Sequence, residues 1–340
     1  MTDSISPERN PQPSPDPPPE RPSERSSATL SDSHLQAHPE ANSERALGQS
    51  GLATGAIERL LDVARRAAEA GGVQLRAHFG RLEQIREKGR CGDLVTEADL
   101  AAEAAVLALL EAETPDIGVL SEESGRRQGG GELEWCVDPL DGTTNYAHGY
   151  PFFGTSVGLC WRGVPLLGAL AIPSFEELHW AAPGMGAWCN GRRIHVSRCE
   201  RLADALLVTG FAYDRHTRLD NNYAEFAYFT HRTHGVRRGG AAAVDLAFVA
   251  SGRLDGYWER GLCPWDLAAG VVLVEQAGGV VSAYDGSALD LGGGRVVASG
   301  RRLHPELVAG LQACQPLSGA SFGAPELDGP GAGDGATPAP

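Results

Sequence analysis

The stretch Trp135-Cys136-Val137-Asp138-Pro139-Leu140-Asp141-Gly142-Thr143-Thr144-Asn145 decides how this chain is read. Trp135 to Val137 is a short apolar run of the kind that forms a buried strand, and it stops at two acids. Pro139 stiffens the turn between Asp138 and Asp141, and its geometry can aim both carboxylates, with the Leu140 carbonyl, at one cation cluster. Gly142 lets the backbone approach a ligand closely, and the amides of Gly142, Thr143 and Thr144 at a helix start can receive phosphate oxygens. Taken alone, Asp138 to Gly142 reads as an ordinary turn. The acids elsewhere in the chain change that balance.

Ile117 to Leu120 reads as a second strand that ends at Glu122 and Glu123. Asp93 lies in Gly92-Asp93-Leu94-Val95-Thr96, and Asp266 opens a late helix. Strand-end carboxylates meeting in one cleft repel each other and resist ionisation unless divalent cations neutralise them. No histidine or cysteine accompanies these acids at ligand spacing, so the donor set selects a hard ion, magnesium or manganese, over zinc or copper. Two such ions about 3.5 to 4 Å apart activate a water for in-line attack and stabilise a departing alkoxide. The expectation is metal-assisted hydrolysis of a phosphate ester with no covalent phosphoenzyme.

Composition excludes rival chemistries. The 340 residues carry 29 basic and 44 acidic side chains, a net charge of −15. That charge repels nucleic-acid phosphates and anionic lipid, so no direct nucleic-acid or membrane partner is expected. Lys88 is the only lysine, which argues against Schiff-base and P-loop chemistry. Seven cysteines, odd in number and never two residues apart, read as reduced thiols of a cytosolic protein. With no apolar run of the roughly 20 residues a membrane span requires and no signal-peptide pattern, a soluble, cytoplasmic protein is expected.

Nine of the 22 prolines fall in residues 1–50 and five in 315–340, so both segments are expected to be disordered tails. Between them, residues 51–200 read as an α+β half holding the metal site. Residues 201–314 read as an α/β half, with the joint near Cys199 to Ala205. Ile57, Leu60, Leu61, Val63, Ala64, Ala67 and Ala68 recur at helical spacing. Thr96 caps a second helix, and Asp99 suits the positive end of its dipole. Short segments from Thr155 to His195, punctuated by Asn190-Gly191, predict an antiparallel meander. After Leu206 strands and helices alternate, and helices covering both sheets predict a layered sandwich.

These motifs resemble the inositol monophosphatase superfamily of lithium-sensitive, magnesium-dependent phosphatases. The stretch from Trp135 to Asn145 is similar to its first signature, and Trp265-Asp266-Leu267-Ala268-Ala269-Gly270 to its second. Gly92 to Thr96 and Ser121-Glu122-Glu123-Ser124 are also similar. The resemblance implies a five-layered αβαβα sandwich of the sugar phosphatase type, usually a homodimer, with two or three magnesium ions per site. It implies Glu122, Asp138, Asp141, Asp266 and the Leu140 carbonyl as metal ligands, with Glu123 behind them. Asp93 and Thr143, beside the ligand Glu122, would orient and deprotonate the attacking water, and Gly142 and Thr144 would hold phosphate. Glu259 would contact ring hydroxyls, unless it forms a surface salt bridge with Arg260 or another arginine. Gly239-Gly240-Ala241-Ala242 matches the substrate loop, with Ala241 where a hydroxyl residue is common. The implied substrate is a small phosphorylated polyol or sugar, first myo-inositol monophosphate. Fructose bisphosphate, histidinol phosphate and phosphoadenosine phosphate are the rivals within the superfamily. A non-enzymatic alternative is binding to the transcription machinery.

Overall fold

The computed structural model describes residues 42–88 and 94–317. Two helices lead, α1 (Asn42–Ser50) and α2 (Thr54–His78), followed by the short strands β1 (Ile85–Glu87) and β2 (Leu94–Thr96) and helix α3 (Glu97–Glu113). Next come β3 (Gly118–Ser121), β4 (Gly125–Arg127), β5 (Leu133–Asp141), the single-turn α4 (Thr143–Ala147), β6 (Gly154–Trp161), β7 (Val164–Ile172), β8 (Glu177–Ala182), β9 (Gly186–Cys189) and β10 (Arg192–Arg193). The remainder is β11 (Leu206–Thr209), α5 (Tyr223–Thr230), β12 (Gly235–Arg238), α6 (Ala242–Ala250), β13 (Gly256–Arg260), α7 (Pro264–Gln276), β14 (Gly279–Ser282), β15 (Arg295–Gly300) and α8 (His304–Ala313).

Two sheets carry the architecture. The first has eight strands in the order β10-β9-β8-β7-β6-β5-β3-β4, and the second has five in the order β12-β11-β13-β15-β14. Every residue of β6 and all but the first of β7 are buried, as continuous apolar strands are when both sheet faces are covered. One face packs on Ile57, Leu60, Leu61 and Ala64 of α2 and Val106 and Leu110 of α3. On the other, α6 and α7 supply Val244, Leu246, Leu267 and Val271 to a core shared with Val208, Tyr257 and Val296 of the second sheet. Phe229 of α5 and Leu307 and Leu311 of α8 cover that sheet's outer face, against Trp258 and Val297. The result is a five-layered αβαβα sandwich.

The predicted meander is present, and Asn190 (φ 48°) and Gly191 (φ 73°) turn the chain from β9 to β10. The second sheet is mixed: β11 pairs parallel with β12 and β13, while β15 pairs antiparallel with β13 and β14.

One boundary needs correction. The predicted tail 1–50 includes residues 42–50, which form α1. Ser43 donates its amide (3.2 Å) and its hydroxyl (2.6 Å) to Oε2 of Glu275 on α7, and the Asn42 amide donates to Oε1 (3.2 Å). Ala46 packs with Trp161 and Leu166. An acid 232 residues away does the work of a helix cap, and no local pattern could announce it.

Candidate active site

Asp138 and Asp141 are three residues apart, so in a regular strand they would face opposite sides of the sheet. They do not. Across from β6, Asp138 pairs with Ser156 and Asp141 with Gly154, a register shift that leaves one extra residue on β5. Pro139, which has no amide to give to the ladder, sits in this bulge, and Thr155 Oγ1 donates to its carbonyl at 2.9 Å. The bulge resets the alternation and turns both carboxylates to one cleft. The Leu140 amide donates to Asp138 Oδ1 at 3.0 Å. Gly142 then takes φ 91°, where a Cβ would lie 3.0 Å from both the Ala241 Cβ and the Phe152 carbonyl, so only glycine turns the chain into α4 here.

The cleft encloses about 240 Å³ and is lined by Glu122, Asp138, Leu140, Asp141, Asp266 and Glu259, among others. Glu122 follows β3. Asp266 stands in the first turn of α7, where its Oδ2 accepts the Cys263 amide at 2.6 Å. Asp141 faces the N-terminus of α6 and accepts the Val244 amide at 3.1 Å, with the Ala243 and Ala242 amides also directed at it.

Burial dominates the electrostatics. It pushes Asp138 well above the usual carboxylate range, with Glu122, Asp141 and Asp266 adding repulsion. Burial and Glu122 push Asp266 up to about 8. Burial pushes Asp141 up to about 7 against the α6 amides, which pull the other way. Asp138 comes within hydrogen-bonding reach of both Glu122 and Asp266, a contact two carboxylates keep only with a proton or a cation between them. Among the described residues no three of these acids bring oxygens within 4.8 Å of one another, so the donors are spread along a cluster rather than closed around one point. An all-oxygen set of buried, mutually repelling acids fits hard divalent ions. Lys88 Nζ donates to Glu122 Oε1 at 2.8 Å and also to Glu123, and Arg238 lines the cleft nearer Glu259. Burial pushes Glu123 up to about 7.

Thr143 Oγ1 lies 3.1 Å from Asp99 Oδ1 and 3.0 Å from the Leu140 carbonyl. Asp99 Oδ2 accepts the Thr96 amide (2.8 Å) and hydroxyl (2.6 Å). Burial pushes Asp99 up to about 6. Asp93, read from sequence as acting with Thr143, lies outside the described residues; among the described residues the acid that meets Thr143 is Asp99. Sequence reading placed Asp99 only at a helix dipole, although its position three residues after the capping threonine already put it on the buried side of α3.

Gly142, Thr143, Thr144, Gly240, Ala241 and Ala242 line the same cleft. The Ala242 amide is directed at Asp141, so that residue also serves to hold a carboxylate. Glu259 is buried, and its Oε2 accepts the Tyr257 hydroxyl at 2.7 Å. Burial pushes it up to about 7. The arginine salt bridge considered for Glu259 belongs elsewhere: Arg260 pairs with Asp214 (2.8 Å) and Asp220 (3.4 Å). Sequence reading missed Lys88, Tyr257 and Asn145 as parts of the site. Asn145 Nδ2 donates to the Phe152 and Gly239 carbonyls at 2.8 and 3.0 Å and so ties α4 to the loop before α6.

The model of the inositol monophosphatase family matches residues 56–316. The chain is 52% identical over 261 residues to the inositol-1-monophosphatase of Synechocystis sp., covering 76% of this chain and 90% of that one. It is 40% identical over 270 residues to the Nus factor SuhB of Pseudomonas aeruginosa, covering 77% and 99%. Among solved structures, the inositol monophosphatase from Anabaena (Nostoc) sp. matches with a TM-score of 0.71 at 47% identity, covering 77% of this chain and 98% of that one. The family model's match begins after α1.

Proposed function

The chain belongs to the inositol monophosphatase family, and from that premise we propose that its substrate is myo-inositol monophosphate, hydrolysed to inositol and phosphate by in-line attack of water. It is a phosphoric monoester hydrolase of a metal-dependent family. The observation that carries the substrate reading is Glu259, buried and held by Tyr257 across the cleft from the bulge that presents Asp138 and Asp141. A carboxylate accepts two hydroxyl hydrogen bonds at once, as vicinal hydroxyls of a polyol require.

Glu122, Asp138, Asp141, Asp266 and the Leu140 carbonyl would hold magnesium, with manganese as the alternative. The bound ions supply Lewis-acid charge neutralisation at the phosphoryl oxygens. The protein's own groups do the rest. Thr143, donating its hydroxyl proton to Asp99, keeps oxygen lone pairs to receive a proton from water, and Asp99 takes the hydroxyl's proton in turn. With its value near 6, Asp99 is ionised at neutral pH and ready for that role. Gly142 and Thr144 hold the phosphate, and Gly240 and Ala241 shape the wall beside it. Lys88 orients Glu122 and Glu123 through its two ion pairs.

The test is a substrate panel with magnesium, comparing kcat/KM on inositol phosphate, fructose bisphosphate, histidinol phosphate and phosphoadenosine phosphate. Inositol phosphate should be fastest, and a faster rival replaces the substrate assignment. The likeness to a Nus factor SuhB supports a second reading, binding to the transcription machinery, which takes over if no small ester releases phosphate. Family membership also carries the proposals of a homodimer, checked by sedimentation, and of inhibition by lithium, checked by titration of activity.

A further inference from the structure

Side chains alternate along β13. Tyr257 and Glu259 face the cleft side, where Tyr257 joins the core shared by the two sheets, and Trp258 packs on the outer face with Phe229 and Leu307. Arg260 follows Trp258 on that outer face. Both outer-face neighbours of Glu259 are gripped by one segment, residues 211–222, which joins β11 to α5. Trp258 Nε1 donates to Asn222 Oδ1 at 2.6 Å, while Asn222 Nδ2 donates to Thr209 Oγ1 (2.8 Å) and to the Gly210 carbonyl (2.7 Å). Both terminal nitrogens of Arg260 donate to the Asp214 carboxylate, at 2.8 and 3.0 Å, and Asp220 lies 3.4 Å from its Nε.

These bonds lie inside the protein. Asn222 is 2% exposed, and the Arg260 side chain is 5% exposed. Asn222 also takes φ 69°, a left-handed backbone that asparagine adopts more readily than most residues. Thr209 and Trp258 are cross-strand partners in the parallel pairing of β11 with β13, so Asn222 ties the two strands together at the point where each delivers its residue to the cleft wall. Gly210 is the residue against which the Glu259 carboxylate packs, and its carbonyl is the one Asn222 holds. The same segment supplies Phe211, Ala212 and Tyr213 to the lining of the cleft.

We propose that Asn222 and Asp214 are positioning residues for substrate selection, which fix the backbone on either side of Glu259 so that its carboxylate meets two hydroxyls of the polyol. The inference rests on the reading of Glu259 as the polyol contact. Neither residue touches the substrate. A hydrogen bond weakens steeply as its angle departs from linear, so a carboxylate that must accept two hydroxyls at once works only when its own strand is held from behind. Tyr257 fixes one carboxylate oxygen from the cleft side, and the grip on Trp258 and Arg260 fixes the backbone from the other. Asp138, Asp141 and Thr143 stand on β5 and α4, away from the sheet that carries β11 and β13. Loosening the grip therefore acts on the alcohol half of the substrate and spares the phosphate half.

The experiment compares KM and kcat of the full chain, with magnesium, on inositol phosphate and on phenyl phosphate, whose leaving group has no further hydroxyl. Asn222→Gly keeps the left-handed backbone and removes all three bonds. Asp214→Asn weakens the Arg260 pair at a half-exposed carboxylate (32%), and it carries the test alone if circular dichroism shows Asn222→Gly unfolded. KM for inositol phosphate should rise at least fivefold in Asn222→Gly and at least twofold in Asp214→Asn, with kcat/KM on phenyl phosphate within twofold of wild type in both. Adding Asn222→Gly to Glu259→Gln should raise that KM less than twofold beyond Glu259→Gln alone, because the asparagine acts through the carboxylate. Equal losses on the two esters, an unchanged KM in the folded variants, or full additivity in the double variant overturns the proposal. Glu259→Gln separates the two readings. If it slows both esters alike, the polyol role of Glu259 fails and takes this inference with it; if it slows only inositol phosphate while the Asn222 and Asp214 variants do not, the positioning role alone fails.

Discussion

The Thr143 hydroxyl lies 3.1 Å from Oδ1 of Asp99, a residue 44 positions earlier in the chain. The same carboxylate is fixed from its other oxygen by the amide and hydroxyl of Thr96, so the helix-capping acid is also the group proposed to accept the Thr143 proton. Asp99→Asn keeps the shape and removes the base, and kcat should fall about 10²- to 10⁴-fold. Activity of the wild type should decline as pH falls through about 6, where Asp99 gains a proton, and the variant's residual rate should lack that acid limb. Steady-state rates from pH 5 to 8 check both.

Asp138→Asn should abolish magnesium-dependent phosphate release while leaving the fold intact, since it removes a donor placed between Glu122 and Asp266. Circular dichroism and a magnesium titration of activity decide the outcome. Wild-type rates in the variant would remove Asp138 from the ligand set.

Metal-free stability should depend on pH in a set direction. Asp141, Asp266 and Glu259 are raised to about 7, 8 and 7 in the fold, above their values of about 4 when unfolded. The folded state therefore holds more protons between about pH 4 and 8, and stability falls as pH rises through that window. Magnesium should reverse the loss at pH 8, because it binds the folded acids only. Thermal melts at pH 6 and 8, with chelator or with magnesium, test the sign.

Gly210→Ala should act on the substrate wall. A Cβ there would lie 2.1 Å from Glu259 Oε2, so the carboxylate must move. KM for inositol phosphate should rise several-fold with a smaller change in kcat. A matching rise on a phosphate ester without ring hydroxyls would show that Glu259 does not read the polyol.

Glu275→Ala should release α1. It leaves the Ser43 amide and hydroxyl without their acceptor, a loss of about 1 to 3 kcal/mol. Hydrogen exchange should accelerate across residues 42–50, and phosphatase activity should stay unchanged.

Much of the fold was legible because its signals are local. The apolar spacing from Ile57 to Ala68, the Thr96 cap and the Asn190-Gly191 turn each act within a few residues, and each appears where the pattern put it. The end of the first tail was misread for the opposite reason: α1 has few apolar residues of its own, and its cap is Glu275 on α7.

Residue order alone carried the expectation of a hard ion and a metal-assisted reaction, because its clustered acids have no histidine or thiol companion at ligand spacing. It placed the end of β3 just before Glu122 and Glu123, but β5 runs on past the predicted stop at Val137 and carries Asp138 and Asp141 within the strand. Which acid serves Thr143, how two carboxylates three positions apart come to share a face, and what Glu259 touches were decided by packing. Those answers depend on a bulge, a cross-sheet approach and burial, which exist only after segments distant in the chain have met and excluded water.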